Sequence, residues 1–459
     1  MQSRYGRAAA LASAAAVIAL SASACAGGGS SSSTTASSPA ASGAAAASGS
    51  ASASSAAITS PVTITFDEVY GTGTQKTGME AMIAAFEKAN PMITVKPTTY
   101  ANYGALLTAE TAQVSAGKPP TIGQAYESWA QKFATSQVIT PISQLPGASG
   151  TMQTDLSSFY TGVQNDLKLP DGQVWMWPFA KSLQVLFYNQ NMLTAAGSKT
   201  PPATWTQFAT ALKAASKNGV VGITIDPGSA AEGATSGTEW VEELAAANGS
   251  PVYQSDGTPQ FTSSGAVSAL NYLVDLKKAG ALATGANYPG ETALGAKKGL
   301  ADLSSSAGYY FETQAVGGKF PLTTTGLPAG TSGSFNEMAG ANLVVFSAAT
   351  DQQKTAAWKF LEFASSPAQQ AAWSAGTGYY PVTSQALTQP AMATYLKQNP
   401  WVNTTIGGLN TAIVDPPYAW VTQCDGYLAT ALSAALSGTG ATSALNTAQS
   451  ACTTAKSNA

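Results

Sequence analysis

The sequence predicts an α/β fold of two domains, and three observations carry that expectation. At 459 residues the chain is longer than one hydrophobic core usually supports. Between residues 62 and 125, strand-like and helix-like stretches alternate as βαβαβ, which is the signature of a parallel sheet. From about Gly219 the alternation resumes, so a second domain begins near residues 180–200. Apolar residues make up 44% of the chain, enough for two cores, but charged residues only 10%. That is well under the usual quarter, so hydroxyls and amides must carry solubility.

Two absences exclude whole classes of chemistry. The chain has no His, and its only arginines are Arg4 and Arg7. Without His, a Ser-His-Asp or Cys-His nucleophile cannot be assembled, and ordinary zinc sites are not expected. Without Arg beyond the first residues, bidentate clamping of phosphate or carboxylate is missing. Lys and Arg together number 21 against 24 acidic residues, a balance that does not suggest nucleic acid as a partner.

Residues 1–25 read as a secretory leader: Arg4 and Arg7, a short apolar run, then Ala22-Ser23-Ala24 before Cys25. The apolar run is too short to span a membrane. The end of this stretch resembles a bacterial lipobox, with Ala22 where Leu is usual, and that resemblance implies lipidation of Cys25. Residues 26–59 are almost wholly Ala, Ser, Gly and Thr, a disordered tether with a typical reach of roughly 30 Å.

The folded chain opens on the β-rich run Val62-Thr63-Ile64-Thr65-Phe66. A Gly- and Thr-rich loop over 71–78 leads to Met79, Met82, Ile83 and Phe86, which share a helical face, and Asn90-Pro91 stops that helix. Residues 93–95 form a second strand, 105–116 a helix and 121–125 a third strand. Past the turn Pro170-Asp171-Gly172, a strand over 184–188 follows Lys181 and Ser182, and Thr204-Trp205 opens a helix with Phe208 and Leu212 inside. A strand at 220–225 precedes helices near 239–247 and around Val267, Leu270, Leu273 and Leu276. Residues 301–306 form a strand ending in Ser304-Ser305-Ser306, and 342–346 another after Gly340, where the missing side chain admits a close approach. Helices around Trp358 and Trp373 follow, the second stopped by Gly376, then a rigid loop at 377–381 and short helices broken at Pro390, Pro400 and Pro416-Pro417. Cys424 and Cys452 remain as an even pair in an exported chain and are expected to be bridged.

The chain is organised around Gly117-Lys118-Pro119-Pro120-Thr121-Ile122-Gly123-Gln124-Ala125-Tyr126-Glu127-Ser128-Trp129. A Pro-Pro corner, a short apolar strand and the start of a helix place Tyr126, Glu127 and Trp129 just past the carboxyl end of a strand. In open α/β sheets that is where ligands bind. An acidic first-turn residue also suits the helix dipole with no ligand at all.

Gln124-Ala125-Tyr126-Glu127, the segment from Pro178-Phe179 to Tyr188-Asn189, Gly340-Ala341-Asn342-Leu343 and the stretch from Trp373 to Pro381 occur in an order that resembles the extracellular solute-binding proteins of bacterial ABC importers. This broad family includes maltose-binding proteins, and the likeness is greatest to its glycerol-3-phosphate-binding branch. It implies a type II periplasmic-binding-protein fold, a Venus-flytrap of two α/β domains with a hinge and a ligand cleft between them. The first lobe would span 60–180, with later return segments, and the second 181–459. The resemblance also implies a lipid-anchored monomer without a cofactor, passing a small solute to a membrane permease. Carried over by position, Tyr103, Glu127, Ser182, Trp240, Ser305, Ser306, Gly340 and Tyr379 are the expected pocket residues. The branch's phosphate-binding arginine has no counterpart around 417–423, and Lys181 reads as a solvated surface residue, which argues against a phosphomonoester.

A neutral polyol or sugar suits what remains. Carboxylate and hydroxyl groups would meet its hydroxyls, and aromatic faces its C–H side. Trp175, Trp177, Tyr309 and Tyr310 are further aromatic candidates, each equally suited to the core. A choline-bearing glycerophosphodiester fits rings beside a carboxylate as well. Two other classes stay open. One is a carbohydrate hydrolase pairing Glu127 with Asp302 or Glu239; the other is a surface lipoprotein binding a macromolecule, which would need a repeat or an exposed apolar stripe.

Overall fold

The computed structural model describes residues 57–227 and 237–459. The leader, Cys25 and most of the tether lie outside the described residues. The first sheet contains β1 (Val62–Glu68), β2 (Ile93–Thr99) and β3 (Ile122–Ala125). β1 pairs in parallel with both β2 and β3, as helices returning the chain between parallel strands require. In β1, Ile64 and Phe66 point into the core while Thr63 and Thr65 face out, the period-2 pattern of a strand.

Between β1 and β2 the helix Gly73–Ala89 buries Met79, Met82, Ile83 and Phe86. It begins six residues before the expected start, so the Gly- and Thr-rich stretch is helix rather than loop. Gly78 accounts for this, since a Cβ there would lie 3.2 Å from the ring of Trp373. The small residue lets two helices approach rather than forming a turn.

The second lobe departs from a simple continuation of the parallel pattern. β4 (Ser182–Asn189), β7 (Ala301–Ser305) and β8 (Leu322–Thr325) form an antiparallel sheet in the order β7-β4-β8, and β5 (Ile223–Ile225) pairs in parallel with β6 (Leu282–Thr284). Every residue of β4 is buried. Leu186 and Tyr188 pack into the second core, while Val185 and Phe187 join Leu294, Val316 and Phe320 on the opposite face. β9 (Met338–Ala339) pairs with the start of β4, and β10 (Asn342–Val345) returns to the first sheet antiparallel to β3.

The C-terminal segment consists of short helices broken at its prolines, as expected, and two of those prolines also open the next helix. Pro390 and Pro400 sit in the first turns of Pro390–Gln398 and Pro400–Thr405, where no amide donor is needed. The helix Pro367–Thr377 ends at Gly378, with φ +84°, rather than at Gly376. Two long helices, Val421–Leu436 and Ala441–Ser457, close the chain, and Cys424 and Cys452 join them in a disulfide with Cα atoms 4.9 Å apart.

Two hydrophobic cores result. One gathers residues between Ile64 and Leu183 with others from Ala307 to Leu409; the second spans Leu186 to Leu327 and the final helices. Apart from Ala307, which reaches the first core from within the second lobe, the chain passes between them within 183–186, 327–338 and 409–421. These crossovers are tied side by side: Met338 N donates to Ile413 O at 2.9 Å, Ile413 N to Asn336 O at 2.8 Å, and Asn336 Nδ2 to Gln184 O at 2.6 Å.

Candidate functional site

Residues of both lobes line a cavity of about 520 Å³, the size of an ordinary small-molecule site. On the first-lobe side β3 ends at Ala125, Tyr126 takes the extended N-cap position, and Glu127 opens the helix Glu127–Thr135. The turn therefore delivers Tyr126, Glu127 and Trp129 to the cavity wall. Tyr103 joins them, its ring 5.1 Å from Tyr126 and 6.4 Å from Trp129 in edge-to-face contacts. Tyr379 also lines the cleft and stacks on Trp373 at 5.7 Å. This wall is aromatic and polar, suited to the C–H faces and hydroxyls of a small polar solute.

Behind the wall lies a buried ionic network. Lys181, 0% exposed, places Nζ 2.6 Å from Asp166 Oδ2 and 3.8 Å from Glu127 Oε1, and donates to the carbonyl of Gly340 at 2.9 Å. Asn342 Nδ2 donates to Asp166 Oδ2 at 2.7 Å and to Glu127 Oε1 at 3.1 Å. One ammonium thus serves two carboxyls. Burial and the charge of Asp166 push the Glu127 carboxyl well above the usual range, and Lys181 offsets this only in part. Held protonated, Glu127 can donate as well as accept.

The facing wall is acidic. Glu239 and Glu242 project from the helix Thr238–Ala247, Glu337 and Asp415 come from the adjacent crossovers, and Asp425 from the helix Val421–Leu436; all line the cavity. Among the described lining residues none is Lys or Arg. Carboxylate oxygens of Glu242, Glu337 and Asp415 lie within 4.8 Å of one another. Two unit charges at that separation repel by about 3 kcal/mol at an effective dielectric near 20, enough to hold one of them protonated in the absence of a cation. Burial, followed by neighbouring carboxyls, pushes Glu239, Glu242 and Glu337 well above the ordinary range, and Asp415 to about 6. The three groups are close enough to share one cation.

Of the residues expected from sequence, Tyr103, Glu127, Ser182, Ser305, Gly340 and Tyr379 converge on the cavity. Trp240 and Ser306 do not. Trp240 packs against Phe208 and Trp205 in the second core and borders a separate cavity of about 20 Å³, shared with Asp302 and fit for one water rather than a sugar. Ser306 is fully buried. Trp177 is likewise fully buried, and Trp175, Tyr309 and Tyr310 are not among the lining residues. Lys181 is the reverse of a surface residue. Gly340 has φ +99°, and a Cβ there would lie 1.9 Å from the carbonyl oxygen of Ala180, so what approaches it closely is the crossover strand. For the hydrolase pairing, Asp302 lies outside the large cleft while Glu239 lines it.

Sequence reasoning missed Gln184, Glu242, Glu337, Asp415 and Asp425. One signal was available: Glu239, Glu242 and Glu243 fall within five positions of a chain in which only 10% of residues are charged.

The sequence profile of the bacterial extracellular solute-binding proteins matches residues 81–400. The sn-glycerol-3-phosphate-binding periplasmic protein UgpB of Escherichia coli O1:K1 / APEC is 27% identical over 349 residues, covering 70% of this chain and 75% of that protein. Two solved structures share the fold. UgpB from Mycobacterium tuberculosis in complex with glycerophosphocholine superposes with a TM-score of 0.76 at 19% identity, covering 87% of this chain and 98% of that one. The cyclic alpha-maltosyl-1,6-maltose binding protein from Arthrobacter globiformis gives 0.73 at 20% identity, covering 87% and 100%.

Proposed function

This chain belongs to the bacterial extracellular solute-binding protein family, and from that premise we propose that it is the solute receptor of an ABC importer. It captures a small, hydroxyl-rich solute, a carbohydrate, polyol or glycerol-derived compound, and delivers it to a membrane permease. The observation that carries this reading is the cavity of about 520 Å³ with Tyr103, Glu127 and Trp129 on one wall and carboxyls from the other lobe and the crossovers opposite. The ligands named for the relatives, sn-glycerol-3-phosphate, glycerophosphocholine and a cyclic maltosyl-maltose, support the solute class. A phosphomonoester is disfavoured, because no cationic side chain lines the described cleft and Lys181 is taken up by Asp166.

The protein performs no chemistry of its own; it lacks His and its relatives are binding proteins. It works as a monomer, with the lobe division near 180–181, held at the outer face of the cell membrane by lipidated Cys25 at the end of a cleaved leader. Among the described residues no helix is long and apolar enough to cross a membrane. A thermal-shift panel of neutral sugars, polyols and glycerophosphodiesters tests the reading, since a ligand bound only by the folded state raises the melting point. At least one member should do so and be recovered unchanged, and Glu127→Ala should remove the shift. Turnover of the bound compound would contradict it.

A further inference from the structure

We propose that the solute carries at least one protonated primary amine, received at the crossover end of the cleft by Glu242, Glu337 and Asp415. This rests on the solute-receptor reading above and narrows it. Four carboxyls line that side of the cavity, from Glu239, Glu242, Glu337 and Asp415, beside Asp425, which accepts from Tyr253, and Glu291 lines it too. No ammonium or guanidinium balances them among the described lining residues. Among the described residues the cation behind the cleft, Lys181, is fully buried and already committed to Asp166 and Gly340 O.

A neutral sugar needs one or two carboxylates beside hydroxyls and amides; it gains nothing from an unbalanced cluster whose members repel. A second, independent feature points the same way. Gln184 lines the cavity at 1% exposure, and its Oε1, which can only accept, has no hydrogen-bond partner. Oε2 of Glu239 and Oε2 of Glu337 are likewise buried without one. Buried acceptors without donors call for a guest that brings N–H or O–H groups, and the unbalanced carboxyls favour one whose donors carry a positive charge. A primary ammonium brings three and a positive charge, whereas a quaternary ammonium brings charge alone. The aromatic wall of Tyr103, Tyr126 and Trp129 then faces the hydroxylated remainder. The expected guest is an amino sugar or amino polyol.

Matched sets test this with the full chain: glucosamine, its disaccharide and its trisaccharide, each beside its N-acetylated form and the parent glucose oligomer. Titration calorimetry at pH 7.5 should rank the amine form first in at least one set, at least tenfold tighter than its two partners. Glu242→Gln with Asp415→Asn, isosteric and charge-free, should abolish that preference while the protein remains folded by circular dichroism. Equal or tighter binding of an acetylated or neutral form in every set, or binding confined to sugars, polyols or glycerophosphodiesters outside these sets, overturns the amine and leaves the receptor reading intact. Tight binding of calcium chloride alone, lost in the same double variant, overturns it in favour of a metal site. No binding by any sugar, polyol or glycerophosphodiester overturns both.

Discussion

At the scale of single residues, the account turns on Lys181. Its ammonium is out of water and matched chiefly by Asp166 at 2.6 Å, so Asp166→Ala should leave a buried charge with only the more distant Glu127, at 3.8 Å, to offset it and cost about 3 kcal/mol of stability. Adding Lys181→Met should restore most of that loss; denaturant melts of the three proteins check it, and a double variant as unstable as the single would contradict the pairing. From sequence, Glu127 was legible because it ends a short apolar strand and begins a helix. Lys181 was not, because nothing local distinguishes a buried lysine from a solvated one. Its partners lie 15 and 54 positions upstream and its carbonyl acceptor far downstream, and only the folded chain brings Asp166, Glu127 and Gly340 around it. The placement of Trp240 in the second core was hidden for a related reason: a tryptophan on an apolar helical face suits a core as readily as a platform.

Among the elements, the paired crossovers and the closing helices carry the specific expectations. Gly340 holds a positive φ against the Ala180 carbonyl just after β9, so Gly340→Ala should strain the backbone and push β9 from β4. We expect a loss of more than about 2 kcal/mol, checked by thermal melting. Ser128 Oγ and Thr422 Oγ1, from helices packed on different cores, lie 2.7 Å apart. Removing that bond with Thr422→Ala should weaken solute binding by roughly fivefold, about 1 kcal/mol, by calorimetry. Reducing the Cys424–Cys452 bridge, whose ends are 28 positions apart, should cost roughly 3–4 kcal/mol. The strands of the first sheet and the core-facing residues of the helix Gly73–Ala89 were legible because their apolar period is clean. The antiparallel sheet of the second lobe was not, since β4 is buried on both faces and shows no alternation. The breaks at the C-terminal prolines were legible as well, although sequence alone did not show that Pro390 and Pro400 also open the helices that follow.

For the whole molecule, the buried acids of the cleft wall and of the small cavity beside it couple stability to pH. Burial lifts Asp415 to about 6 and Asp302 to about 7, above the ordinary value near 4. Asp415 feels burial first and then the charge of Asp166, with Glu239, Glu242 and Glu337 beside it, and Asp302 faces Glu312 and Glu291, so their charged neighbours do not reverse the sign. Between those values the folded state binds protons that the unfolded chain has released. The resulting stability is complete below about pH 4 and is lost as pH rises through 6 and 7. The solute-free protein should therefore melt higher at pH 5 than at pH 8; a flat profile or the opposite trend would contradict the wall's protonation. The two-lobed class was legible from length and from the resumed alternation. The charge of the cleft was not, because Glu242, Glu337 and Asp415 come from one helix and two distant crossovers that sequence order keeps apart. The claim underlying all of this is that the two lobes close on a solute held between them. Small-angle X-ray scattering of the protein with and without the strongest ligand of the thermal-shift panel tests it most directly. The radius of gyration should fall on saturation for the wild type and stay fixed for Glu127→Ala; binding that leaves the wild-type value unchanged would contradict it.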